Sequence, residues 1–554
     1  MSTLKLKTPA GGSISLTPTD TASDVTLTLP ASTTSLVDSA TLAASGGSAL
    51  VGYLPEGTGA VATTVQGKLR EIVSPADFAD GVPAGTSSAY SMKFYSGQFP
   101  ISSTITFPSS GAYGGGRWQG AGSEWSTAFS SRSQNALSRL RWDGSVGGTM
   151  LNLDGQLGMT FADLSFVGKS SAGALNQAGV LNQWSMSGSA GSGESIYLNC
   201  TWQYYDIAVR MGTSVGDGTC AGLQFVKCST QNGSTFLQVE NSQGLNYVLD
   251  HFSANFVDRV AYLKRGGNLQ VRGGNFAGCG ATNWIFELSN LGTSIYANSF
   301  RDVRIEQNSK RVLKSVGGCV IIEGMTEAQT NQAVTMFDFA GTKAIIRDSR
   351  LITRDATNPT ITLTNQSGGF VGSLMCECVH FDATVFTVSE WVQRTNQNVH
   401  SIVTFVGCTY GANETPIADF STDAAHGTVP LSGQTTGAAT GTLTIFGLNR
   451  NHYSVCKIPN NYVVGYEVDI VAKDDLGAVA FQGKRMAVAK NAAGVCTLAN
   501  STVVGTDYNP LSIGTAPSVF VSDGFDSIEV SVTGSSGRTL NWAAGIREAS
   551  RVVL

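Results

Sequence analysis

The chain has 554 residues, 14% of them charged and 65 of them glycine, with 35 Lys and Arg against 40 Asp and Glu. A net charge of −5 lacks the basic footprint of backbone-driven nucleic-acid binding, and no run approaches the ~18 apolar residues of a bilayer span. Apolar residues still reach 42%, so the low charge does not signal disorder.

In chain order, residues 1–37 read as short strands in which Leu4 and Leu6, Ile14 and Leu16, then Val25, Leu27 and Leu29 alternate with polar residues. Residues 38–59 are Ala, Ser and Gly-rich and read as a linker. Thr63 or Thr64 can cap a short amphipathic helix carrying Val61, Val65, Leu69 and Ile72 on one side, which Pro75 ends.

Between residues 90 and 420 a strand-like segment recurs, ending at Cys200, Cys228, Phe252, Phe276, Phe300, Met325, Ser349, Cys378 and Cys408. The intervals are 28, 24, 24, 24, 25, 24, 29 and 30 residues, the period of a solenoid. Short polar-flanked units of this kind predict a parallel β-helix with an interior ladder at those positions. Earlier turns are expected at Phe99–Ile101, Trp118, Leu140–Trp142 and Met159–Phe166, with 168–193 a loop leaving the shaft.

Residues 421–441 read as a second linker. Strands at Thr442–Phe446, Tyr462–Val471, Ala478–Ala489, Ser527–Thr533 and Thr539–Ile546 then predict an antiparallel sandwich. The expected organisation is an all-β chain. It has a small N-terminal β domain with its helix (1–75), a right-handed parallel β-helix (76–420) and a C-terminal antiparallel β-sandwich (421–554).

The ten cysteines are scattered, without Cys-x₂-Cys spacing, and read as reduced, buried small hydrophobes. The five histidines show no metal spacing, and Gly477–Lys484 has one residue too many for a P-loop. No metal or cofactor is expected. The first twelve residues lack the apolar core of a secretory signal, which fits synthesis in a cytosol.

Three segments resemble bacteriophage tailspike or tail fibre proteins with a pectate-lyase-like β-helix. Gly59-Ala-Val-Ala-Thr-Thr-Val-Gln-Gly-Lys-Leu-Arg-Glu-Ile-Val-Ser-Pro-Ala-Asp-Phe78 is similar to the neck preceding many such helices. Leu27-Thr-Leu-Pro30 resembles virion-attachment regions. Val530-Ser-Val-Thr-Gly534 and Thr539-Leu-Asn-Trp-Ala543 resemble a sandwich at fibre tips. The resemblance implies a homotrimer made in the host cytoplasm, fixed to tail or adaptor proteins of the virion through its N-terminus. It also implies a shaft that binds bacterial surface polysaccharide or cuts it, by carboxylate-assisted hydrolysis or by lyase chemistry, or, as the alternative, a non-enzymatic adhesin of the same fold. The C-terminal sandwich would trimerise the chain or bind glycan.

Hydrolysis of a polysaccharide commonly uses two carboxylates ~5–9.5 Å apart, which neighbouring rungs can supply. Counting from the ladder places Asp302, Arg304 and Glu306 outward on the Phe300 rung and Glu327 outward on the next. Asp302, Glu306 and Glu327 are therefore the candidate acids and bases, with Arg304 binding an acidic sugar. The same count turns Trp202 and Tyr204 outward as stacking platforms for sugar rings.

Overall fold

The computed structural model describes residues 4–7, 13–16, 52–53, 63–64, 72–73, 91–107, 115–123, 138–168, 178–185, 191–213, 220–241, 245–265, 267–289, 297–306, 311–328, 335–353, 360–364, 372–383, 392–394, 402–416, 420–421, 429–443, 456–458, 461–510, 513, 515–522 and 527–553. The chain divides into units Met1–Glu71 and Ile72–Leu554.

In the first unit Leu4–Lys7 pairs antiparallel with Ser13–Leu16, and Gly52–Tyr53 with Thr63–Thr64. Thr63–Thr64 and Ile72–Val73 are strands, so the expected helix does not begin or end where its pattern placed it. β-branched Thr, Ile and Val favour a pleated partner when one is offered. The rest of that segment, with Val25, Leu27 and Leu29, lies outside the described residues.

The second unit opens with a parallel solenoid. Its register stacks one inward column from end to end: Met92, Trp118, Phe161, Tyr197, Phe225, Leu249, Val271, Phe300, Ile322, Ile346, Cys376 and Phe405. Every one is buried. In its aromatic run Trp118 meets Phe161 edge-on at 5.8 Å, while Phe161 stacks flat on Tyr197 at 4.8 Å and Tyr197 on Phe225 at 5.1 Å, the flat pairs close to the strand spacing of about 4.8 Å. Removing each such side chain from water contributes about 1.5–3 kcal/mol.

Three residues further along each coil a second inward column begins: Cys200, Cys228, Phe252, Gly274, Val303, Met325, Ser349, Val379 and Cys408. Phe276, Phe300 and Cys378, expected on this ladder, stand elsewhere. Phe300 belongs to the first column, Phe276 stacks on Ala254, and Cys378 is exposed at a corner. The corner residue itself is left-handed on rung after rung. Asp163, Asn199, Lys227, His251, Gly273, Asp302, Gly324, Asp348, Cys378 and Gly407 have φ between 48° and 67°. That conformation costs a side-chain-bearing residue ~1–2 kcal/mol, least for Asp and Asn, whose short side chains bond locally. Asn199 instead donates from Nδ2 to Asp163 Oδ1, the corner residue of the neighbouring rung, at 2.7 Å.

Part of the segment expected to leave the shaft is itself a rung. Ala178–Ser185 stacks between Gly148–Asp154 and Thr201–Met211, with Leu181 and Trp184 buried. Trp184 Nε1 donates to Tyr197 Oη at 3.1 Å, so its polar edge is satisfied inside the core. At the other end Thr415–Pro416 and Phe420–Ser421 turn back antiparallel on the last parallel strands.

The C-terminal residues form two antiparallel sheets. One orders Val429–Thr436, Thr539–Val553, Tyr462–Asp474, Val479–Ala492 and Val495–Tyr508. The other holds Thr440–Thr442, Cys456–Lys457, Ser518–Ser522 and Ser527–Thr533. Val468, Ile470, Leu540 and Trp542 of the first share a core with Val519, Ile528, Val530 and Val532 of the second. Val429–Thr436, in the stretch read as linker, is therefore an integral strand.

Candidate active site

The shaft brings the expected residues to its surface unevenly. Trp202 is fully buried, stacked on Phe166 at 5.5 Å, and its Nε1 donates to Asn182 Oδ1 at 2.7 Å. It is a core residue and presents no face to a sugar. The outward count fails there because Cys200 lies after the left-handed corner, whereas Phe300 lies before it. Two steps beyond Cys200 therefore point inward again. Tyr204 is half-buried at a second left-handed position shared with Asn232 and Phe256, φ 54°, 52° and 53°.

Asp302 is the exposed corner residue of its rung. Arg304 pairs in register with Thr326, and Ile305 with Glu327, so Asp302 stands opposite Gly324 and not opposite Glu327. The two expected carboxylates are not assembled. Arg304 Nε and Glu306 Oε1 are 2.6 Å apart within one strand, and Arg350 pairs across the rungs with Asp382 on the strand beside its own. Such solvated pairs contribute little, about 0–1 kcal/mol.

A second face concentrates charge where water is partly excluded. On the strands following the second bend, the register aligns outward residues Arg210, Gln238, Tyr262, Glu287, Lys314, Asp338 and Thr362. Each sits between two inward residues, as the alternating burial of Phe286–Ser289, Leu313–Val316 and Phe337–Ala340 shows. Arg259 lies over the Tyr262 ring at 4.3 Å, approaches Glu287 Oε2 at 3.4 Å through Nε, and donates from Nη2 to Asn283 Oδ1 at 2.7 Å. Lys264 lies 5.3 Å from the same ring and donates to Glu240 Oε1 at 2.6 Å. Both cations thus lie against the Tyr262 ring.

Asp338 is the unusual member. Its Oδ1 is enclosed and accepts no hydrogen bond among the described residues. Burial pushes its carboxyl above the usual range, and Lys314 on the adjacent rung pulls it back less strongly. A desolvated carboxyl without donors favours its protonated form. Glu287 stands two rungs away in the same column, about 9–10 Å by strand spacing.

The sequence carried a signal for this column. Phe286-Glu-Leu, Leu313-Lys-Ser, Phe337-Asp-Phe and Ile361-Thr-Leu repeat one polar residue between two inward ones, at a spacing like that of the ladder. Among the described residues no group of His, Cys, Asp and Glu is placed to hold a metal ion.

No protein-family model and no curated protein sequence matches the chain. Solved structures with a similar fold include the tailspike protein of Acinetobacter baumannii bacteriophage Fri1, described as a capsular polysaccharide depolymerase. It is 11% identical over 90% of each chain, with a TM-score of 0.34. The tailspike protein of E. coli bacteriophage HK620 is 12% identical over 92% of this chain and 99% of that one, TM-score 0.41. The enzymatically active domain of tailspike protein 4 of bacteriophage CBA120 is 9% identical over 92% and 71%, TM-score 0.35.

Proposed function

We propose that the chain is a phage tailspike whose shaft binds bacterial surface polysaccharide and hydrolyses it on the Glu287–Asp338 face. The neck-like segment, the solenoid and the C-terminal sandwich support the class. The observation that carries the chemistry is the half-buried carboxyl of Asp338, its Oδ1 enclosed without a hydrogen-bond partner among the described residues and its pKa pushed up by burial, two rungs from Glu287.

In this reading Asp338 is the general acid, giving its proton to the oxygen of the leaving sugar. Glu287 is the base that activates water, at a separation on the scale of inverting enzymes, ~6.5–9.5 Å. Arg259 and Lys264, which lie against the Tyr262 ring, orient hydroxyl or acidic groups of the sugar beside it.

A homotrimer and an N-terminal attachment to the virion belong to the same proposal. One outward column, in which half-exposed Ile196, Val248, Ile321, Ile345 and Met375 share the register with Gln224, Gln270 and Ser299, supports the trimer. Beside it Asp250, Arg272, Arg301, Glu323, Arg347 and Glu377 stack as a ladder of mixed charge. A partly apolar column beside a ladder of both signs of charge suits a copy of itself.

The test is digestion of host surface polysaccharide, with released oligosaccharides read by chromatography. Asp338→Asn and Glu287→Gln are expected to lose about 10²–10⁴-fold in rate while retaining binding, and Glu306→Gln to keep its rate. Full activity in Asp338→Asn overturns the assignment. Binding without release from the unsubstituted protein establishes the adhesin instead.

A further inference from the structure

The strand that carries Glu287 is entered through a loop which one carboxylate of the preceding rung holds by three donors. Asp258 Oδ1 accepts from the Thr282 N–H at 2.7 Å and the Asn283 N–H at 2.9 Å, and its Oδ2 accepts from Asn283 Nδ2. The Gly280 N–H bonds to the Val257 carbonyl at 3.1 Å, and Arg311 Nη1, from the following rung, donates to the Thr282 carbonyl at 3.0 Å. A carboxylate shared by two consecutive backbone N–H groups fixes the path of the loop.

Asn283 carries that order onward. With Nδ2 committed to Asp258, its Oδ1 accepts from Arg259 Nη2 at 2.7 Å. Reversing the amide would set oxygen against carboxylate and NH2 against guanidinium, so the two partners permit one orientation. Arg259 also lies over the Tyr262 ring at 4.3 Å. Its enclosed Nε makes no hydrogen bond and stands 3.4 Å from Glu287 Oε2.

This last link differs from the others. Glu287 accepts no hydrogen bond among the described residues, so Arg259 steers it by charge alone. The Glu287 side chain is 15% exposed, and an attraction so placed is screened less than one in open water. A carboxylate bonded by protein donors has fewer lone pairs left for water. One steered by a neighbouring charge keeps them, as a base that must take a proton from water requires.

We propose that Asp258, Asn283 and Arg259 form a positioning relay for Glu287, aiming its carboxylate at the attacking water while leaving both oxygens unbonded. The inference rests on the hydrolytic reading above and adds to it Asp258 and Asn283, which act only through Arg259. A displaced base loses rate and not affinity, on the scale of about 10²-fold for a shift near ~1 Å.

The test is the initial rate of oligosaccharide release from host surface polysaccharide by the full-length protein. Asn283→Ala is expected to lower kcat about 10–10²-fold while KM stays within about twofold. Arg259→Met should lose at least as much, and adding Asn283→Ala to it should change kcat less than about twofold, because the two act in series. Exchanging the pair, Asp258→Asn with Asn283→Asp, supplies the rescue. The amide at 258 still accepts from both backbone N–H groups and donates to the carboxylate at 283, whose other oxygen accepts from Arg259. Each single substitution should lose rate, and the exchange should regain it to within about threefold.

An unimpaired Asn283→Ala protein overturns the proposal, as does a loss equally large in the Arg259→Met background. So does an exchange that recovers the melting temperature without the rate. Absence of release, or a Glu287→Gln protein that keeps its rate, overturns the hydrolytic reading and this one together. A Glu287→Gln protein that loses its rate beside an unimpaired Asn283→Ala overturns this one alone.

Discussion

Asp302 stacks on Gly324: a Cβ added to the glycine would lie 2.8 Å from Asp302 Oδ1. Both occupy the left-handed corner of their rungs. The role this assigns to Asp302 is to turn the chain. Asp302→Asn and Asp302→Gly are expected to hold stability within about 0.5 kcal/mol, while Asp302→Val costs about 1–2 kcal/mol through its β-branch at positive φ. Unfolding midpoints check this, and polysaccharide release is expected to survive all three.

Trp202 is expected to behave as core. Trp202→Ala removes a buried ring stacked on Phe166 and strands the Asn182 acceptor, at a cost of about 3–5 kcal/mol. Trp202→Phe keeps most of the packing and should cost less. Denaturation curves separate the two. A Trp202→Ala protein with unchanged stability but weakened glycan binding would return the residue to the surface.

The protonation of Asp338 sets the sign of two pH effects. As the acid it must hold its proton, so the alkaline limb of the rate should fall as pH rises through its raised pKa. Because the folded value is raised, the folded state holds this proton more tightly than the unfolded chain. The associated stability is complete below the unfolded value, near ~4, and is lost as pH rises through the folded one. Asp338→Asn should therefore melt higher than the unsubstituted protein at neutral pH, with the difference closing toward pH ~3. Melting temperatures across that range test it.

Thiol chemistry should follow burial. Cys378 is exposed at its corner, whereas Cys200, Cys228, Cys279, Cys376 and Cys408 are buried, and burial pushes the Cys279 thiol up to about 12. A maleimide at neutral pH is expected to label Cys378 long before any of those five, because the thiolate is the nucleophile. Mass spectrometry of the labelled peptides decides it.

In the sandwich, buried Arg485 donates from Nη1 and Nη2 to Asp507 Oδ1 and Oδ2 of the edge strand, both at 2.6 Å, and breaking this fork leaves either a buried guanidinium or a half-buried carboxylate without its partner. Asp507→Asn or Arg485→Met should cost about 3–5 kcal/mol. Denaturant midpoints of the two variants check it.

The period and chain class were legible because stacking demands like residues at like places, and apolar segments recur every two dozen residues or so. Register was harder. Every coil carries two inward residues three apart around the corner: Tyr197 and Cys200, Phe300 and Val303, Cys376 and Val379. Either column looks like the ladder when viewed alone, so Phe300 was exchanged for Val303 and Cys378 for Val379. That slip placed Asp302 beside Glu327 and turned Trp202 outward. The edge strand Val495–Tyr508 went unseen for another reason. Most of its side chains face solvent, so it lacks the alternation that marks a half-buried strand.

The inward column running from Met92 to Phe405 also bears on how the molecule could change length. Each coil's interior touches chiefly the coils above and below, so cohesion passes from neighbour to neighbour. A coil duplicated or deleted between two matched neighbours would alter reach while leaving distant packing as it was. Breakage spreads along the same line: losing one central ring such as Phe225 would open a seam from which both halves unzip toward their ends.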